Sequence, residues 1–351
     1  MQRSYVLITG GAGFIGTNVA RSYLEEDRAV HILDNLSRPG VEQNIVDLQR
    51  LYGGRVGFTN ADVRDKGAVE KAVNGATRIY HLAAQVAVTT SLDEPLADLE
   101  TNLIGTLRVL EAIRKSPLKP SLLFTSTNKV YGRLGSVPLG KGSTRYEPED
   151  SRIAHSGAGE DQPLEFLSPY GCSKGSADQY VLEYARSYGL SAAVFRMSCI
   201  YGPYQLGSED QGWVAHFLRQ AMKGEPITIY GDGRQVRDLL FVDDLVRAMR
   251  RVHEHMELAA GEVFNVGGGP ENSTSLLELV DHLQSLTRKR IDIAWGPERM
   301  ADQRWYVADT SKIHKLLGWA PGTGIRDGLR ALHDWYLERR GSITQSEFQV
   351  A

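Results

Sequence analysis

The fold is decided by the stretch from Tyr5 to Gly16, which reads YVLITGGAGFIG. The apolar run Tyr5–Thr9 predicts a buried strand, and a helical pattern begins directly after it. A helix amino terminus without bulky side chains lets backbone N–H groups contact a pyrophosphate. A structural turn would explain a single glycine, but the GxxGxxG spacing after a strand predicts dinucleotide binding by Gly10, Gly13, Phe14, Ile15 and Gly16.

An acidic residue follows the second predicted strand, because Val30–Leu33 leads directly into Asp34. A carboxylate at this position binds the ribose hydroxyls of adenosine and repels a ribose phosphate, which favours NAD over NADP. Because the cation Arg38 is nearby, NADP stays an alternative to NAD as the cofactor. Five residues are expected beside the adenosine half of the cofactor: Asn35, Ser37, Arg38, Asp62 and Val63. In the alternative interpretation, Asp62 only forms a turn or a helix cap.

The first half of the chain alternates short apolar runs with amphipathic stretches, and the later runs are Val56–Phe58, Arg78–Leu82 and Ser121–Thr125. This alternation predicts an α/β fold with a doubly wound parallel sheet of the Rossmann type. A chain of 351 residues is long for one core, so we also expect a smaller α/β substrate-binding lobe. The expected division is a nucleotide-binding domain at 1–190 with returning segments near 230–250, a lobe mainly at 191–340, and a flexible tail at 341–351.

The stretch from Arg133 to Pro163 is rich in Gly, Ser, Pro and charged residues, which predicts a long exposed loop. A helix is predicted to follow it, with Ser168 as its N-cap and Pro169 as its first residue. Further strands are expected at Ala192–Phe195, Ile227–Ile229 and Val263–Val266.

The predicted helix carries a candidate catalytic pair, because Tyr170 and Lys174 are four residues apart and therefore share one face. A phenol is a poor base at neutral pH, but a neighbouring lysine cation favours its phenolate form. Thr127, just past the Ser121–Thr125 run, can hydrogen-bond the same reacting hydroxyl. A tyrosine paired with a lysine on a surface is the alternative for an isolated YxxxK motif.

The composition excludes several other classes of protein. A net charge of −3 gives no general reason to bind nucleic acid, and no apolar run is long enough to span a bilayer. The residues before Tyr5 have no signal-peptide pattern, which predicts a cytoplasmic protein. Cys172 and Cys199 predict neither a disulfide framework nor a metal site, and His81 has no second ligand at a useful spacing, so no metal is expected.

Several motifs together resemble the extended short-chain dehydrogenase/reductase family of NAD-dependent epimerases and dehydratases, and the branch that inverts C2 of CDP-hexoses resembles this chain most. The motifs are TGGAGFIG at 9–16, DNLSR at 34–38, HLAAQ at 81–85, TSTNKVYG at 125–132, SPYGCSK at 168–174, DQGWV at 210–214, QVRD at 235–238 and DQR at 302–304.

The resemblance implies a transient oxidation by tightly held NAD. Tyr170 would take the proton of the C2 hydroxyl while hydride leaves C2, and the hydride would return to the other face of the 2-keto intermediate. Lys174 would bind the nicotinamide ribose and lower the pKa of Tyr170. The further cofactor contacts implied are Leu82, Ala83, Ala84 and Gln85. The protein would be a homodimer whose interface consists of two helices from each subunit, or a homotetramer made of two such dimers.

The nucleotide-sugar substrate, most simply a CDP-sugar, would lie among residues from both halves of the chain. Arg237 and Arg299 fall where related epimerases hold the diphosphate, and Arg suits phosphate through its bidentate fork. Each could instead form a structural ion pair, and Tyr201 could equally be a core aromatic. The implied substrate contacts are Gln85, Thr127, Asn128, Tyr201, Gln211, Arg237, Arg299, Asp302 and Arg304.

Three other functions compete with this interpretation. A sugar 4,6-dehydratase needs an Asp-Glu pair after its catalytic Thr, and Asn128 and Lys129 stand there instead. A UDP-sugar 4-epimerase would need only a different pose of the sugar. A non-catalytic NAD-binding sensor would be expected to lose one of Thr127, Tyr170 and Lys174, which are all present. The nucleotide base and the exact sugar stay open.

Overall fold

The computed structural model describes residues 4–299 and 302–340. The strands are β1 Tyr5–Thr9, β2 Val30–Asp34, β3 Val56–Asn60, β4 Ala76–His81, β5 Ser121–Thr127, β6 Leu139–Lys141, β7 Tyr146–Pro148, β8 Ala192–Met197, β9 Cys199–Tyr201, β10 Ile227–Tyr230, β11 Val236–Phe241, β12 Val263–Val266, β13 Ser273–Ser275, β14 Ile293–Gly296 and β15 Trp305–Tyr306. The predicted tail at 341–351 lies outside the described residues.

The α-helices are α1 Phe14–Leu24, α2 Glu42–Tyr52, α3 Lys66–Val73, α4 Val88–Asp93, α5 Pro95–Leu99, α6 Gly105–Lys115, α7 Ser151–Ser156, α8 Pro169–Tyr188, α9 Trp213–Lys223, α10 Val242–Glu254, α11 Met256–Ala259, α12 Leu276–Thr287, α13 Ser311–Leu317 and α14 Ile325–Arg340. A π-helical turn, Glu100–Ile104, joins α5 to α6. Within the described residues, no helix is long and apolar enough to cross a membrane.

The centre of the molecule is a parallel sheet, in which seven strands of the described chain have the order β12-β8-β5-β4-β1-β2-β3. Apolar side chains pack on both faces of this sheet, with α1 and α10 on one face and α3, α6 and α8 on the other. The predicted Rossmann-type α/β fold is therefore confirmed. Parallel strands end at one edge of the sheet, which is where such folds bind their ligands.

The later part of the chain builds a smaller unit and also returns to the central sheet. Strands β9, β13 and β15 pair with β11, and β10 pairs with β14, while α9, α12 and α14 pack around a separate apolar core. Strands β8 and β12 follow residue 190 but lie in the central sheet. The nucleotide-binding sheet therefore does not end at residue 190, and the chain crosses between the two units several times.

The predicted exposed loop from Arg133 to Pro163 is confirmed in the main, because most of its residues are exposed and lie outside helices and strands, but the segment also contains short regular elements. It contains the hairpin of β6 and β7 and the short helix α7. Its few apolar residues are buried against Val236 and Tyr306, and its backbone bonds to the smaller unit through Tyr146 N–H and the Arg234 carbonyl at 3.0 Å. The Gly and Ser content hid these anchor residues, because they are widely spaced along the sequence.

Candidate functional site

The glycine loop brings the backbone of β1 and α1 close to the strand end of β4. Gly10 has a φ of +70°, and a Cβ there would lie 2.7 Å from the backbone nitrogen of Ala83. A Cβ on Gly16 would lie 2.5 Å from the Gly10 carbonyl oxygen. Only glycine allows these approaches. The amino terminus of α1 consequently opens into the cleft at the carboxyl edge of the sheet.

Asp34 stands at the end of β2, where its carboxylate holds the loop and faces the cleft. Its two oxygens accept hydrogen bonds from Ala12 N–H at 3.0 Å and Leu36 N–H at 2.9 Å. Burial raises the pKa of Asp34, and the two N–H donors oppose that rise. Each carboxylate oxygen keeps a lone pair for a ribose hydroxyl.

Asp62 lines the cleft just after β3 and is fixed by its neighbours. Arg64 binds both carboxylate oxygens at 2.9 Å, and Asn35 donates to Oδ2 at 2.9 Å. The hydrogen bonds from Arg64 lower the pKa of Asp62 to about 2. The carboxylate is thus charged and held in place. This suits a hydrogen-bond acceptor for an amino group of a ligand, but the same contacts also stabilise the turn after β3.

A single cleft of about 610 Å³ brings most of the predicted site residues together. The predicted residues that line it are Gly10, Gly13, Phe14, Ile15, Gly16, Asp34, Asn35, Ser37, Arg38, Asp62, Val63, Leu82, Ala83, Ala84, Thr127, Asn128, Tyr170, Lys174, Gln211, Arg237, Arg299 and Asp302. The cleft runs from the glycine loop, past the end of β5, to the smaller unit.

Three predicted residues do not line this cleft. The side-chain amide of Gln85 donates a hydrogen bond to the Ala87 carbonyl at 2.8 Å, and its backbone N–H donates to the Asn102 side chain. Tyr201 is 0% exposed and packs in the core of the smaller unit, because β9 pairs with β11 and directs its ring against Phe241. Arg304 is exposed and pairs with Glu298 at 3.8 Å. The substrate contacts predicted for these three residues are therefore corrected.

Thr127 and Tyr170 meet where β5 ends and α8 begins. Ser168 caps α8 by accepting the Gly171 N–H at 3.1 Å, which places Tyr170 in the first turn. Burial raises the pKa of Tyr170 to about 12, while a hydrogen bond with Thr127 and the charge of Arg38 act to lower it. The phenol is therefore held neutral by the protein and positioned by Thr127.

Lys174 lies one turn further along α8 than Tyr170 and is buried. Its Nζ donates to the Thr125 carbonyl at 2.6 Å, and burial lowers its pKa to about 7 although Asp178 and Asp98 favour the cation. The structure therefore fixes the Lys174 ammonium at the end of β5, and its expected effect on the pKa of Tyr170 stays a prediction.

Sequence reasoning missed a buried polar network that joins α8 to α5 and the π-helical turn. Asp98 accepts hydrogen bonds from Ser173 and from Asn102, the latter at 3.0 Å, and Asn102 also bonds to the Gln85 carbonyl at 3.0 Å. Asn102 lies in the π-helical turn, a distortion often found at functional sites. The one signal in the sequence was the i, i+4 spacing of Asp98 and Asn102, which becomes informative only once both are known to be buried.

At the other end of the cleft, Arg237 and Arg299 are both partly engaged by the protein. Arg237 donates to the carbonyls of Val236 and Gln303 at 2.7 Å and 2.6 Å and to Asp302 at 2.7 Å. Arg299 lies 4.0 Å from the ring centre of Tyr230 and pairs with acidic residues on a nearby loop. Both guanidinium groups are held in place, with N–H groups to spare.

The residues described include no cluster of potential ligands that could hold a metal ion. His81 instead contacts Thr9 at 2.7 Å and Thr106 at 3.0 Å, and burial lowers its pKa to about 3. The site therefore combines a glycine loop, a carboxylate at the end of β2 and a Thr-Tyr-Lys set in one cleft. These features define a Rossmann-type protein that binds a dinucleotide.

Comparisons with known proteins identify the family. The NAD dependent epimerase/dehydratase family matches residues 6–267. A CDP-paratose 2-epimerase of Salmonella typhi is 40% identical, over 94% of this chain and 98% of the relative. A dTDP-glucose 4,6-dehydratase of Salmonella typhimurium is 32% identical, over 95% of this chain and 92% of that protein.

The solved structures agree with this result. A Thermus thermophilus UDP-glucose 4-epimerase in complex with NAD matches with a TM-score of 0.80 and 32% identity, over 97% of this chain and 100% of the other. The chain belongs to the NAD dependent epimerase/dehydratase family and is an NAD-dependent nucleotide-sugar epimerase. Its cofactor is NAD, which the close glycine approaches and the free lone pairs of Asp34 fit.

Proposed function

We propose that this protein inverts C2 of a CDP-hexose, in a reaction of the CDP-paratose to CDP-tyvelose type. The observation that carries the proposal is the 40% identity with a CDP-paratose 2-epimerase over almost the whole length of both chains. The cleft supports it, because Thr127, Tyr170 and Lys174 lie together at the end of β5.

The chain's own residues account for the proton transfers of this reaction. NAD accepts a hydride from the sugar and returns it. Tyr170 would react as its phenolate, which the positive charge of bound NAD would favour against the effect of burial. The phenolate takes the proton of the C2 hydroxyl as the hydride leaves, and Thr127 holds the same oxygen in line. Tyr170 later gives this proton back to the oxygen at C2. Lys174 is held by the Thr125 carbonyl, so that its charge lies beneath the strand end where the nicotinamide ribose would bind.

Inversion requires the 2-keto intermediate to present its other face before the hydride returns. The cleft continues past Thr127 between the central sheet and the smaller unit, and Gln211 and Trp213 line that part. This space allows the sugar to turn while the nucleotide stays bound. Retention of the diphosphate by Arg237 and Arg299 would prevent loss of the intermediate during the turn.

Dehydration is disfavoured by the residues after Thr127. Asn128 is buried and its amide lies 3.4 Å from Gln303, while the Lys129 ammonium pairs with Asp302 at 3.4 Å. Neither residue can act as a carboxylic acid that protonates a leaving hydroxyl. The structure therefore supports an epimerase more than the 4,6-dehydratase that the chain also resembles.

Proton NMR with candidate sugars tests the proposal. The purified protein, with no cofactor added, is incubated in deuterated buffer with CDP-paratose, CDP-glucose, UDP-glucose and UDP-glucuronate. We expect inversion at C2 of the CDP-sugar without incorporation of solvent deuterium at C2, because the hydride returns internally. Inversion at C4 of a UDP-sugar would overturn the proposal in favour of a 4-epimerase, and the absence of turnover with every sugar would favour a binding protein.

We also propose that the protein is a homodimer that pairs through α5, the π-helical turn after it and α8. These segments leave apolar side chains exposed, and Leu96 on α5 is 73% exposed. The others are Leu99 on α5, Ile104 in the π-helical turn, and Tyr180 and Tyr188 on α8. Clusters of exposed apolar side chains are typical of an interface between subunits.

The substitution Leu96→Glu tests the dimer, because it places a charge in the proposed interface. We expect it to weaken dimerisation by about 10-fold or more, measured by sedimentation velocity over a range of concentrations. The matched control is Leu118→Glu, since Leu118 is also exposed but lies outside these helices. Equal behaviour of the two variants would contradict the proposed interface.

A further inference from the structure

Lys129 is a partly buried lysine in the cleft that the reaction described above does not use. It follows Thr127 by two residues, and its backbone N–H donates to Thr127 Oγ1 at 3.2 Å. Its side chain is 24% exposed and lines the cleft between the catalytic pair and Arg237. Its ammonium has one acceptor in the described residues, Asp302 at 3.4 Å, so it keeps N–H groups for a ligand.

The charges near Lys129 leave one positive charge uncompensated. Arg237 and Lys129 both contact the single carboxylate of Asp302. Arg237 spends three of its five N–H groups on Asp302 and on two carbonyls. Without the charge of Lys129, the positive charge of Arg237 and the negative charge of Asp302 would cancel each other. Lys129 therefore supplies the excess positive charge that an anionic ligand needs at this point of the cleft.

The proposed chemistry places an anion close to Thr127 and Tyr170, and this step rests on the proposed function. When C2 reacts, three covalent bonds separate the reacting carbon from the β-phosphorus, through C1 and the anomeric oxygen. When C4 reacts, five bonds separate them. A reaction at C2 thus draws the β-phosphate towards Thr127 and Tyr170, into the cleft that Lys129 also lines, two residues after Thr127.

We propose that Lys129 binds the β-phosphate of the nucleotide sugar and thereby holds C2, rather than C4, against Tyr170. Arg237 contacts the same diphosphate from the other side, with its two remaining N–H groups. Asp302 keeps both cations in place in the absence of substrate. The identity of residue 129 is then a determinant of which sugar carbon is oxidised.

The test compares nucleotides with and without a β-phosphate, because this difference isolates the contact. CDP and CMP, and UDP and UMP, are titrated by calorimetry into the full-length protein carrying its NAD. For Lys129→Met we expect the affinity for CDP to fall by about 10-fold or more, as for a lost charge-assisted hydrogen bond, and the affinity for CMP to stay within about 2-fold. Lys129→Arg should retain most of the affinity for CDP.

The matched control is Lys141→Met, because Lys141 also pairs with a carboxylate, Asp232 at 3.1 Å, but lies outside the cleft. It should leave all four affinities unchanged. Equal losses for CDP and CMP, no loss for either, or a wild-type protein that does not distinguish diphosphate from monophosphate would overturn the proposal. If Lys129→Met does not fold with its NAD, Lys129→Gln takes its place.

These titrations separate the two proposals. The nucleotide measurements do not depend on which sugar carbon reacts, and the uridine pair gives the same comparison if the base is uracil. A preserved β-phosphate effect combined with inversion at C4 would overturn the C2 reaction and the selectivity of Lys129, and would leave only its phosphate contact. Inversion at C2 without a β-phosphate effect would overturn the role of Lys129 alone.

Discussion

Replacing Tyr170 with Phe is expected to lower the rate of epimerisation by about 1,000-fold or more, which is within the range for removal of a general acid and base. The structure explains the size of the effect. Tyr170 is buried and lines the cleft together with Thr127, so in the proposed reaction its phenolate is the proton acceptor at the reacting oxygen. The substitution removes only the hydroxyl and keeps the ring. Turnover is followed by NMR, and bound NAD is released by heating and quantified.

The NAD content should stay unchanged in Tyr170→Phe, because the glycine loop and Asp34 do not depend on the phenol. Tyr184→Phe is the matched control. Tyr184 is on the same helix and also loses one hydrogen bond, to Glu111 at 3.1 Å, but it lies outside the cleft. Its turnover should match the wild type. Substantial turnover by Tyr170→Phe would mean that another group moves the proton.

The central sheet and the first half of the site could be predicted because their signals are local. The strand before Gly10, the carboxylate at the end of β2 and the four-residue spacing of Tyr170 and Lys174 each depend on neighbouring residues in the sequence. The sheet then brings these separate pieces to one edge, since its strands are parallel. Local pattern and topology together placed these residues correctly in the cleft.

The smaller unit was harder to predict because its geometry depends on long-range pairing. Tyr201 lies in the core because β9 pairs with β11, which follows about forty residues later in the chain. No local sequence pattern predicts that pairing. Arg304 and Asp302 are two residues apart, yet Asp302 faces Arg237 while Arg304 faces Glu298. The hydrogen bond of the Lys174 ammonium to the Thr125 carbonyl likewise joins α8 to β5 across about fifty residues and could not be predicted from the local sequence.

The second large effect expected is on stability, from the substitution Asp178→Ala. Asp178 on α8 binds Arg196 on β8 through both carboxylate oxygens, at 2.8 Å and 3.0 Å, and both side chains are almost fully buried. Removing the carboxylate leaves a buried guanidinium without its counter-charge, which costs roughly 3 to 5 kcal/mol in the free energy of unfolding. Urea denaturation followed by circular dichroism measures it. Glu183→Ala on the same helix, where Glu183 forms an exposed ion pair with Arg186, should cost less than about 1 kcal/mol.

The same substitution connects the fold to the chemistry, because the charge of Asp178 also acts on Lys174. That charge raises the pKa of Lys174, against burial, which has lowered it to about 7. Without Asp178 the pKa of Lys174 should fall further, so that a smaller fraction of the lysine is charged at neutral pH. The pH profile of epimerisation should therefore shift to lower pH. Asp178→Leu combined with Arg196→Leu should recover much of the stability, since no buried charge is left unpaired. The double variant should still show the altered pH profile. Recovery of both the stability and the wild-type pH profile would mean that Asp178 acts on the fold alone.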